Sequence, residues 1–312
     1  MKDEQGWGVA SAISAYTIWG FLPIYWKLVK AVPALEILAH RFIWSLFFMV
    51  LVLALAKRMK SFQREIREIV ARPGKILGVL AAAAIITVNW LIYIWAVNDS
   101  RIIETSLGYY INPLVSVLLG IVVLKEKLSF WQKVAVLLAA LGVLNLTVNF
   151  GGIPWVALSL AVTFALYGLC KKMLQIGALT SITLETLLIS PAAFLYLSYL
   201  HQHAASSFDL NTPLLAGLLI GSGVITAVPM VLFSNSANRL PLSVLGFIQY
   251  LSPTIALFVG IFLYHEPFSL THLLSFGLIW LALATFSLSR TSAFVRLESM
   301  VLRKLVSLKD MQ

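Results

Sequence analysis

Residues 112–129, NPLVSVLLGIVVLKEKLS, and residues 252–269, SPTIALFVGIFLYHEPFS, share one pattern at an offset of 140. In both stretches a proline is followed by a glycine seven residues later, a glutamate six residues after that and a serine three residues further on. Neither apolar run alternates polar and apolar residues, so both predict membrane-spanning helices and not strands of a barrel. The chain therefore contains an internal repeat whose unit includes a helix that ends at a polar loop.

The whole chain has the composition of an integral membrane protein. Of its 312 residues, 60% are hydrophobic and 12% are charged, whereas soluble domains carry about 25% charged residues. The apolar residues form runs of about 20, the length that a helix needs to cross the hydrocarbon core. These runs predict an all-α integral membrane fold with ten transmembrane helices. The predicted spans are 7–29, 34–56, 75–98, 102–124, 130–149, 153–170, 181–200, 213–235, 242–264 and 270–290.

The basic residues predict the orientation of the chain. The net charge is +10, but Lys and Arg lie between the apolar runs and not on one exposed face, so we expect no nucleic-acid partner. If the N-terminus is cytoplasmic, all but four of the 23 basic residues fall on the cytoplasmic side. Lys171 and Lys172, which follow the sixth predicted span, are assigned to the cytoplasmic side. The four exceptions are Lys27, Lys30, Arg41 and Arg101. We therefore expect both termini in the cytoplasm.

The segment at 291–312 has a different pattern. One apolar stripe recurs at spacings of 3 and 4, and basic residues lie off it. This predicts a basic amphipathic helix on the cytoplasmic membrane surface, with a partner-binding helix as the alternative. The stripe consists of Phe294, Leu297, Val301, Leu305 and Leu308, and the basic residues are Arg296, Arg303, Lys304 and Lys309.

The repeat extends beyond the two quoted stretches. At an offset of 148 to 149, Trp19 matches Tyr167 and Glu36 matches Glu185. Each half then holds five helices, and because five is odd, the second half must enter the membrane upside down. Inverted repeats with a site near the midplane are a recurring plan of secondary transporters. We predict two five-helix repeats and a tail, over residues 1–150, 151–290 and 291–312.

Several longer motifs point to a known family. They are Ala15-Tyr16-x-Ile18-Trp19-Gly20, Glu36-Ile37-Leu38-x-His40-Arg41-x-Ile43-Trp44-Ser45, Asn89-Trp90 and Leu107-Gly108-Tyr109-x-Ile111-Asn112-Pro113-Leu114. Together with the paired Pro-Gly-Glu pattern they resemble the drug/metabolite transporter superfamily, in its EamA-domain branch and RarD-type group. The resemblance covers nearly the whole chain, to about residue 290. It implies ten helices, both termini in the cytoplasm, a bacterial inner membrane and export or exchange of small organic molecules.

Ionisable residues inside a span are costly and are candidates for function. Arg41 lies about 10 Å deep in the second span, where it would bind an anionic substrate group or form a structural ion pair. His40 points about 100° away and is either a proton relay or a structural residue. Glu36 lies one turn from His40, and its mate Glu185 is expected toward the opposite surface. Each glutamate is either a coupling site for a proton or cation, or a carboxylate stabilised by a helix N-terminus.

Aromatic and amide side chains form a second candidate set. An amide facing lipid is expensive, so the deep amides should face protein or a cavity. Aromatic walls with a few amides suit a flat or amphipathic organic solute, whereas helix–helix hydrogen bonds and interfacial belts are the structural alternatives. The predicted substrate-binding residues are Trp19, His40, Arg41, Asn89, Trp90, Tyr93, Tyr109, Asn112, Tyr167, Gln249 and Tyr250. In contrast, we expect Glu126 and Glu266 to be structural, binding backbone N–H groups or basic residues.

These patterns favour a secondary transporter of small organic solutes, an exporter or exchanger that works by alternating access and can be proton-coupled. No phosphate loop, zinc motif or nucleophile elbow stands out, so we expect no catalytic site, cofactor or metal. The alternatives are a channel, a non-transporting membrane scaffold, and an intramembrane enzyme that uses Glu36, His40 and Glu185. The expected partners are a small organic solute and the lipid bilayer. One chain can build the whole inverted pair, so a monomer is sufficient, and the sequence is also compatible with a dimer.

Overall fold

A computed structural model describes residues 2–99, 101–150, 153–265, 269–289 and 291, together with positions 294, 296, 298 and 300. Over these residues the chain is helical and contains no strand. Ten helical spans are long and apolar enough to cross a membrane, which confirms the predicted fold class. Glu266 and residues 301–312, which carry part of the repeat and most of the predicted tail helix, lie outside the described residues.

The successive spans run in alternating directions through one bundle. We call the end that holds the start of α1 the N-terminal end and the other the distal end. A π-helical turn, Val259–Leu263, follows α11. The helices are α1 (Lys2–Leu28), α2 (Ala34–Leu55), α3 (Met59–Val70), α4 (Pro73–Asn98), α5 (Ile102–Val122), α6 (Phe130–Val148), α7 (Trp155–Leu174), α8 (Ala178–Gln202), α9 (Pro213–Arg239), α10 (Leu242–Gln249), α11 (Leu251–Phe258) and α12 (Leu270–Leu288).

The outside of the bundle is apolar, as the contact with lipid requires. Large side chains such as Phe47, Leu51 and Leu214 are more than half exposed. Interior positions carry small or aromatic residues, including Ala12, which is fully buried. The membrane around the protein, and not water, is therefore the solvent for most of its surface.

Helix starts are set by prolines and by capping serines. Ser129 and Ser269, which are mates in the repeat, both form capping boxes at the starts of α6 and α12. In each box the serine hydroxyl accepts from the backbone N–H three residues later, and that residue's side chain accepts from the serine N–H. Prolines stand at helix starts because their missing N–H has no partner there. These prolines are Pro33, Pro73, Pro154, Pro213 and Pro241.

The ninth span is present as predicted, but it is not one continuous α-helix. α10 ends at Gln249, and α11 begins at Leu251. Pro253 explains the break, because it cannot donate a hydrogen bond to the carbonyl of Gln249 and its ring crowds that carbonyl. The span then ends in the π-helical turn, whose wider hydrogen bonds are usually found at irregular or functional positions.

Helix α3 occupies most of a segment that the predicted spans leave as a connection. It is polar and only 12 residues long, too short to cross the membrane. One apolar edge, with Ile69 buried, packs against Val79 and Ile176. The Glu65 carboxylate accepts the backbone N–H of Gly177 at 3.1 Å, just before α8 begins. α3 therefore connects the first half of the chain to the start of α8.

The first five spans interlock with the last five in a regular way. α1 packs against α9 while its repeat mate, α7, packs against α4. α5 packs against α7 while their mates, α11 and α1, pack against each other. In addition, α2 contacts α8, α5 contacts α10 and α6 contacts α12. The contacts thus follow the equivalences read from the sequence repeat.

Helices α2 and α9 approach each other closely at Gly223. The Ser45 hydroxyl donates to the Gly223 carbonyl at 2.8 Å. A Cβ atom at Gly223 would lie 2.4 Å from the carbonyl carbon of Trp44, closer than packed atoms allow. Glycine is therefore required here, and it brings α9 against the segment of α2 that carries the candidate site.

Candidate functional site

Arg41 lies inside the bundle among side chains from three other helices. Its Nε donates to the Thr226 hydroxyl at 2.9 Å. Its Cζ lies 4.9 Å from the ring centroid of Trp26 and 4.7 Å from that of Trp90. No carboxylate of a described residue lies within 4.0 Å of the guanidinium. One hydroxyl and two aromatic faces therefore surround this cation, and it has no ion-pair partner among the described residues.

Two tyrosines extend this cluster toward α5. Tyr93 of α4 and Tyr109 of α5 pack edge to face. Their ring centroids lie 6.3 Å apart. Tyr109 is also 49% exposed.

A small cavity lies beside the Arg41 cluster. It encloses about 10 Å³, room for about one water molecule. Trp90 and Thr226, both of which contact Arg41, form part of its wall, and Glu185 forms another part. Helices α2, α4, α8 and α9 surround it. The remaining lining residues are Phe42, Ser45, Ile86, Ile182, Thr186, Ile189, Ala227 and Met230.

A buried polar network holds Glu185 at the cavity. Lys171 donates to one carboxylate oxygen of Glu185, and the two form an ion pair in which both side chains are buried. Lys171 also donates to the Ser181 hydroxyl at 2.7 Å. The Tyr167 hydroxyl donates to the other oxygen of Glu185 at 2.8 Å. Both carboxylate oxygens are thus bonded, and the charge of Glu185 is balanced by Lys171.

The spacing of these residues explains the network. Tyr167 and Lys171 are four apart on α7, and Ser181 and Glu185 are four apart on α8. Residues four apart on a helix share a face, so each helix presents two polar groups to the other.

Glu36 closes the distal end of the bundle. One oxygen of its buried carboxylate accepts from the Ser207 backbone N–H at 2.6 Å, and the other accepts from the Ser207 hydroxyl at 2.8 Å. Ser206 donates a third hydrogen bond at 3.1 Å. We call residues 203–212, which join α8 to α9, the distal loop. Glu36 holds this loop against the start of α2.

His40 lies beneath the distal loop and does not line the cavity. Its Nδ1 accepts from the Trp44 indole N–H at 3.2 Å, and its ring centroid lies 5.1 Å from that of Phe208. Its Nε2 is buried, 4.0 Å from a Glu36 oxygen, and has no hydrogen-bond partner among the described residues. His40 therefore belongs with Glu36 and the distal loop.

The acidic and histidine candidates lie at two ends of the bundle. Glu36 contacts the loop that follows α8, whereas Glu185 precedes the last residue of α8, Gln202, by about 25 Å of helix rise. An intramembrane enzyme would require Glu36, His40 and Glu185 to lie close together. The structure does not bring these three residues together.

The two deep asparagines bind α7. Asn89 donates to the Leu160 carbonyl at 3.0 Å and to the Thr163 hydroxyl at 2.8 Å. Asn112 donates to the Ala161 carbonyl at 2.5 Å. The Asn112 Oδ1 atom is buried, and no described residue donates a hydrogen bond to it. Both amides face protein, where they hold α4 and α5 against α7.

The remaining candidates lie outside the cavity lining. Trp19 packs against Phe164 and Phe233, and Phe233 stacks on Tyr167, so this aromatic cluster adjoins the Glu185 network. Gln249 and Tyr250 are buried near the break in the ninth span. Tyr250 packs in the cluster between α5, α6 and α12 and away from the cavity.

Two glutamates at helix junctions bind backbone N–H groups. Glu126 accepts from Leu242 at 2.6 Å and from Ser243 at 2.9 Å, where α10 begins. As predicted, Glu126 binds backbone N–H groups. At the distal end, Glu104 accepts the backbone N–H of Val156 at 2.8 Å, in the first turn of α7.

Three residues of the site were not predicted from the sequence. The predicted end of the sixth span at residue 170 is too early, because α7 continues to Leu174 and buries Lys171 against Glu185. The four-residue spacing from Tyr167 was the available signal. Thr226 and Trp26 carry no local signal, since their role depends on Arg41 of another helix.

Comparison with known proteins agrees with this architecture. The model of the EamA-like transporter family matches residues 6–148 and 152–288. The uncharacterized transporter YojE of Bacillus subtilis (strain 168) is 47% identical over 284 residues, which cover 91% of this chain and 94% of its own. Protein RarD of Escherichia coli (strain K12) is 41% identical and covers 89% of this chain and 93% of its own. The chloramphenicol-sensitive protein RarD of Pseudomonas aeruginosa is 28% identical over a similar length.

A solved crystal structure shares the fold. It is 16% identical, covers 90% of this chain and 97% of its own, and superimposes with a TM-score of 0.69. The identity supports a statement about the fold alone. The family match over both halves and relatives above 40% identity carry the assignment. This chain belongs to the EamA-like transporter family, in the RarD-type group of the drug/metabolite transporter superfamily.

Proposed function

We propose that this chain is a secondary transporter of small organic solutes, an exporter or exchanger, which works by alternating access. The two moving parts are residues 1–150 and 151–290, arranged as inverted repeats. The observation that carries the proposal is the cavity, because its walls are the second and third spans of each half. A site between equivalent helices of two inverted halves can open to either side by exchange of their conformations.

The size of the cavity supports a mechanism with movement. A volume of about 10 Å³ has no room for an organic solute. Binding and release therefore require α2, α4, α8 and α9 to separate. Interlocking contacts such as α1 on α9 and α7 on α4 can exchange in pairs, so that one side closes while the other opens.

The mate glutamates are proposed as coupling residues, with His40 as a relay to Glu36. Glu36 fastens the distal loop, and Glu185 fastens α8 to α7 near the N-terminal end. Protonation of either carboxylate would weaken the contact that it holds, which links proton uptake to opening of that end. We expect Glu36→Gln and Glu185→Gln to remove pH dependence from transport, and an unchanged pH profile in both would contradict the coupling role.

The proposed location is a bacterial inner membrane, with both termini in the cytoplasm. The relatives named above come from bacteria, and their names describe transporters or RarD proteins. The distribution of Lys and Arg supports the orientation. In that orientation Glu36 and the distal loop face outward, and Lys171 and Glu185 lie toward the cytoplasm.

Alternating access is tested without knowledge of the substrate. The single native cysteine, Cys170, is replaced by alanine, and Thr186 on the cavity wall is replaced by cysteine. A membrane-impermeant maleimide is then applied to right-side-out and to inside-out vesicles. We expect Thr186→Cys to react from both sides. As controls, Leu51→Cys on the lipid face should react from neither side, and Ser206→Cys in the distal loop should react mainly from one side.

The outcomes separate the competing functions. Reaction of Thr186→Cys from both sides, with no continuous ion conductance in planar bilayers, supports a transporter. Reaction from both sides with conductance supports a channel. Absence of reaction from either side, while Ser206→Cys reacts, contradicts alternating access and favours a scaffold.

A further inference from the structure

We infer that Arg41 binds the carboxylate of a monoanionic organic solute, whose flat apolar part lies against Trp90 and Trp26. The inference names a substrate class for the proposed transporter and rests on that function. It is carried by the hydrogen bonds, neighbours and charge balance of Arg41.

The hydrogen bonds of Arg41 leave most of its donors for a ligand. A guanidinium has five N–H donors in a rigid planar fork. Only Nε is bonded to a described residue, through the Thr226 hydroxyl at 2.9 Å. The indole rings of Trp26 and Trp90 lie within 5 Å of Cζ, and an aromatic face attracts a cation without accepting its N–H bonds in the fork geometry. The terminal nitrogens therefore match a group with two adjacent acceptor oxygens.

The charge balance favours an anion. Lys171, a buried cation near the cavity, is already paired with Glu185. Glu36 is five residues before Arg41 and thus roughly 140° around α2, and its oxygens are bonded to Ser206 and Ser207. Arg41 consequently lacks a close counter-ion among the described residues, although a charge inside a membrane normally has one.

The single unpaired charge of Arg41 favours a monoanion. A carboxylate supplies one negative charge and two oxygens, which match one guanidinium. A dianionic phosphate would leave an excess negative charge in the bundle. An ammonium group would find no unpaired carboxylate among the described residues that line the cavity, because Glu185 is already paired with Lys171. The aromatic neighbours Trp90, Tyr93 and Tyr109 favour a flat body over a sugar.

The cavity beside Arg41 shows where the body of a bound solute would lie. Trp90 and Thr226 contact Arg41 and also line the cavity, so a carboxylate at Arg41 would extend its body toward Glu185. The two charged features of the site would then lie at different ends of the solute. This arrangement lets one substrate contact both halves of the chain at once.

The test compares matched probes on the purified full-length protein. Benzoate and indole-3-acetate are carboxylates, and benzamide and indole-3-acetamide have nearly the same shape without the charge. Phenyl phosphate and benzylamine supply a dianion and a cation. Melting temperature in detergent is measured against the concentration of each probe, because a ligand of the folded state raises it by mass action. We expect saturable increases with both carboxylates and not with their amides.

Variants connect the binding to Arg41. Arg41→Gln should melt as a folded protein and bind the carboxylates at least about tenfold more weakly, because it loses the charge-assisted fork. Arg41→Lys should bind with intermediate strength, since it keeps the charge without the paired donors. Arg239→Gln, at an exposed position at the end of α9, is the matched control and should bind as the native protein does.

Any other pattern overturns the inference. Equal shifts with benzoate and benzamide, shifts with phenyl phosphate or benzylamine alone, no shift with either carboxylate, or full binding by Arg41→Gln each contradict it. The native protein alone can give the first three results, so the test does not depend on folding of the variants. Two-sided labelling of Thr186→Cys without carboxylate binding would leave the transporter proposal standing and remove only the substrate class.

Discussion

At the scale of single residues, buried charges have the largest consequences, because the surrounding hydrocarbon cannot compensate an unpaired one. Lys171 and Glu185 neutralise each other and share Ser181 and Tyr167 as hydrogen-bond partners. Arg41 is held differently, by Thr226 and aromatic faces. The charges of Lys171 and Glu185 balance each other, whereas Arg41 has donors that a ligand can bind. This difference is the physical basis for assigning one cation to structure and coupling and the other to recognition.

The Lys171–Glu185 pair should behave as one unit in a double-mutant cycle. Lys171→Met leaves Glu185 buried without a counter-ion, which we expect to cost about 3–5 kcal/mol of stability. Glu185→Leu should cost a similar amount, because it strands the ammonium. The double variant should be more stable than either single variant. Melting of the four proteins in detergent measures the coupling free energy, and additive effects would show that the two charges do not depend on each other.

At the scale of helices, the ends of the spans connect the two halves. The Glu126 carboxylate, after α5, binds the first N–H groups of α10 in the other half. These N–H groups have no partner within their own helix, and a helix N-terminus favours negative charge. Glu104 does the same for α7 at the distal end. Junctions of this kind hold α5 against the starts of α7 and α10.

Glu126→Ala should therefore destabilise the protein without lowering its affinity for a ligand. Loss of the charge-assisted bonds to Leu242 and Ser243 is expected to cost about 1.5–3 kcal/mol. The matched control is Glu68→Ala on the exposed face of α3, which should change stability by less than about 0.5 kcal/mol. Thermal melting measures the effect on stability. A fall in ligand affinity at full stability would instead assign Glu126 to the transport machinery.

At the scale of the whole molecule, an even number of spans and the distribution of basic residues act together. Ten spans return the C-terminal segment to the side on which the chain begins. On that same side, the described residues Phe294 and Glu298 contact the start of α6, where Glu298 accepts the backbone N–H of Phe130 at 3.1 Å. The Lys and Arg residues of the connecting loops are concentrated at this end, which favours a cytoplasmic location for it.

Reporter fusions check this orientation. A green fluorescent protein fused after Gln312 should fluoresce, because it folds in the cytoplasm. Alkaline phosphatase fused after Asp209, in the distal loop, should be active, because that enzyme requires an oxidising compartment. Phosphatase fused after Lys60, at the N-terminal end, serves as the inactive control. The opposite set of activities would invert the proposed topology and move Glu36 to the cytoplasmic side.

Whether a contact of the site can be predicted from the sequence depends on whether its residues lie on one helix or on different helices. Glu36 with His40 on α2, and Tyr167 with Lys171 on α7, are recognisable from spacing within one helix. The functions of Asn89 and Asn112 were open between a cavity and helix packing. Their bonds to α7 could be found only once α7 was known to pass beside α4 and α5.

The sequence by itself determined the ten spans, the repeat that relates them and the family. The reason is that the thickness of the bilayer and the need to satisfy every backbone N–H within a span act on each segment separately. Only the tertiary structure decided that Lys171 is buried, that Glu36 holds the distal loop and that Arg41 stands among Trp26, Trp90 and Thr226. These are contacts between helices distant in the chain, and one chain's residue pattern does not state which helices become neighbours.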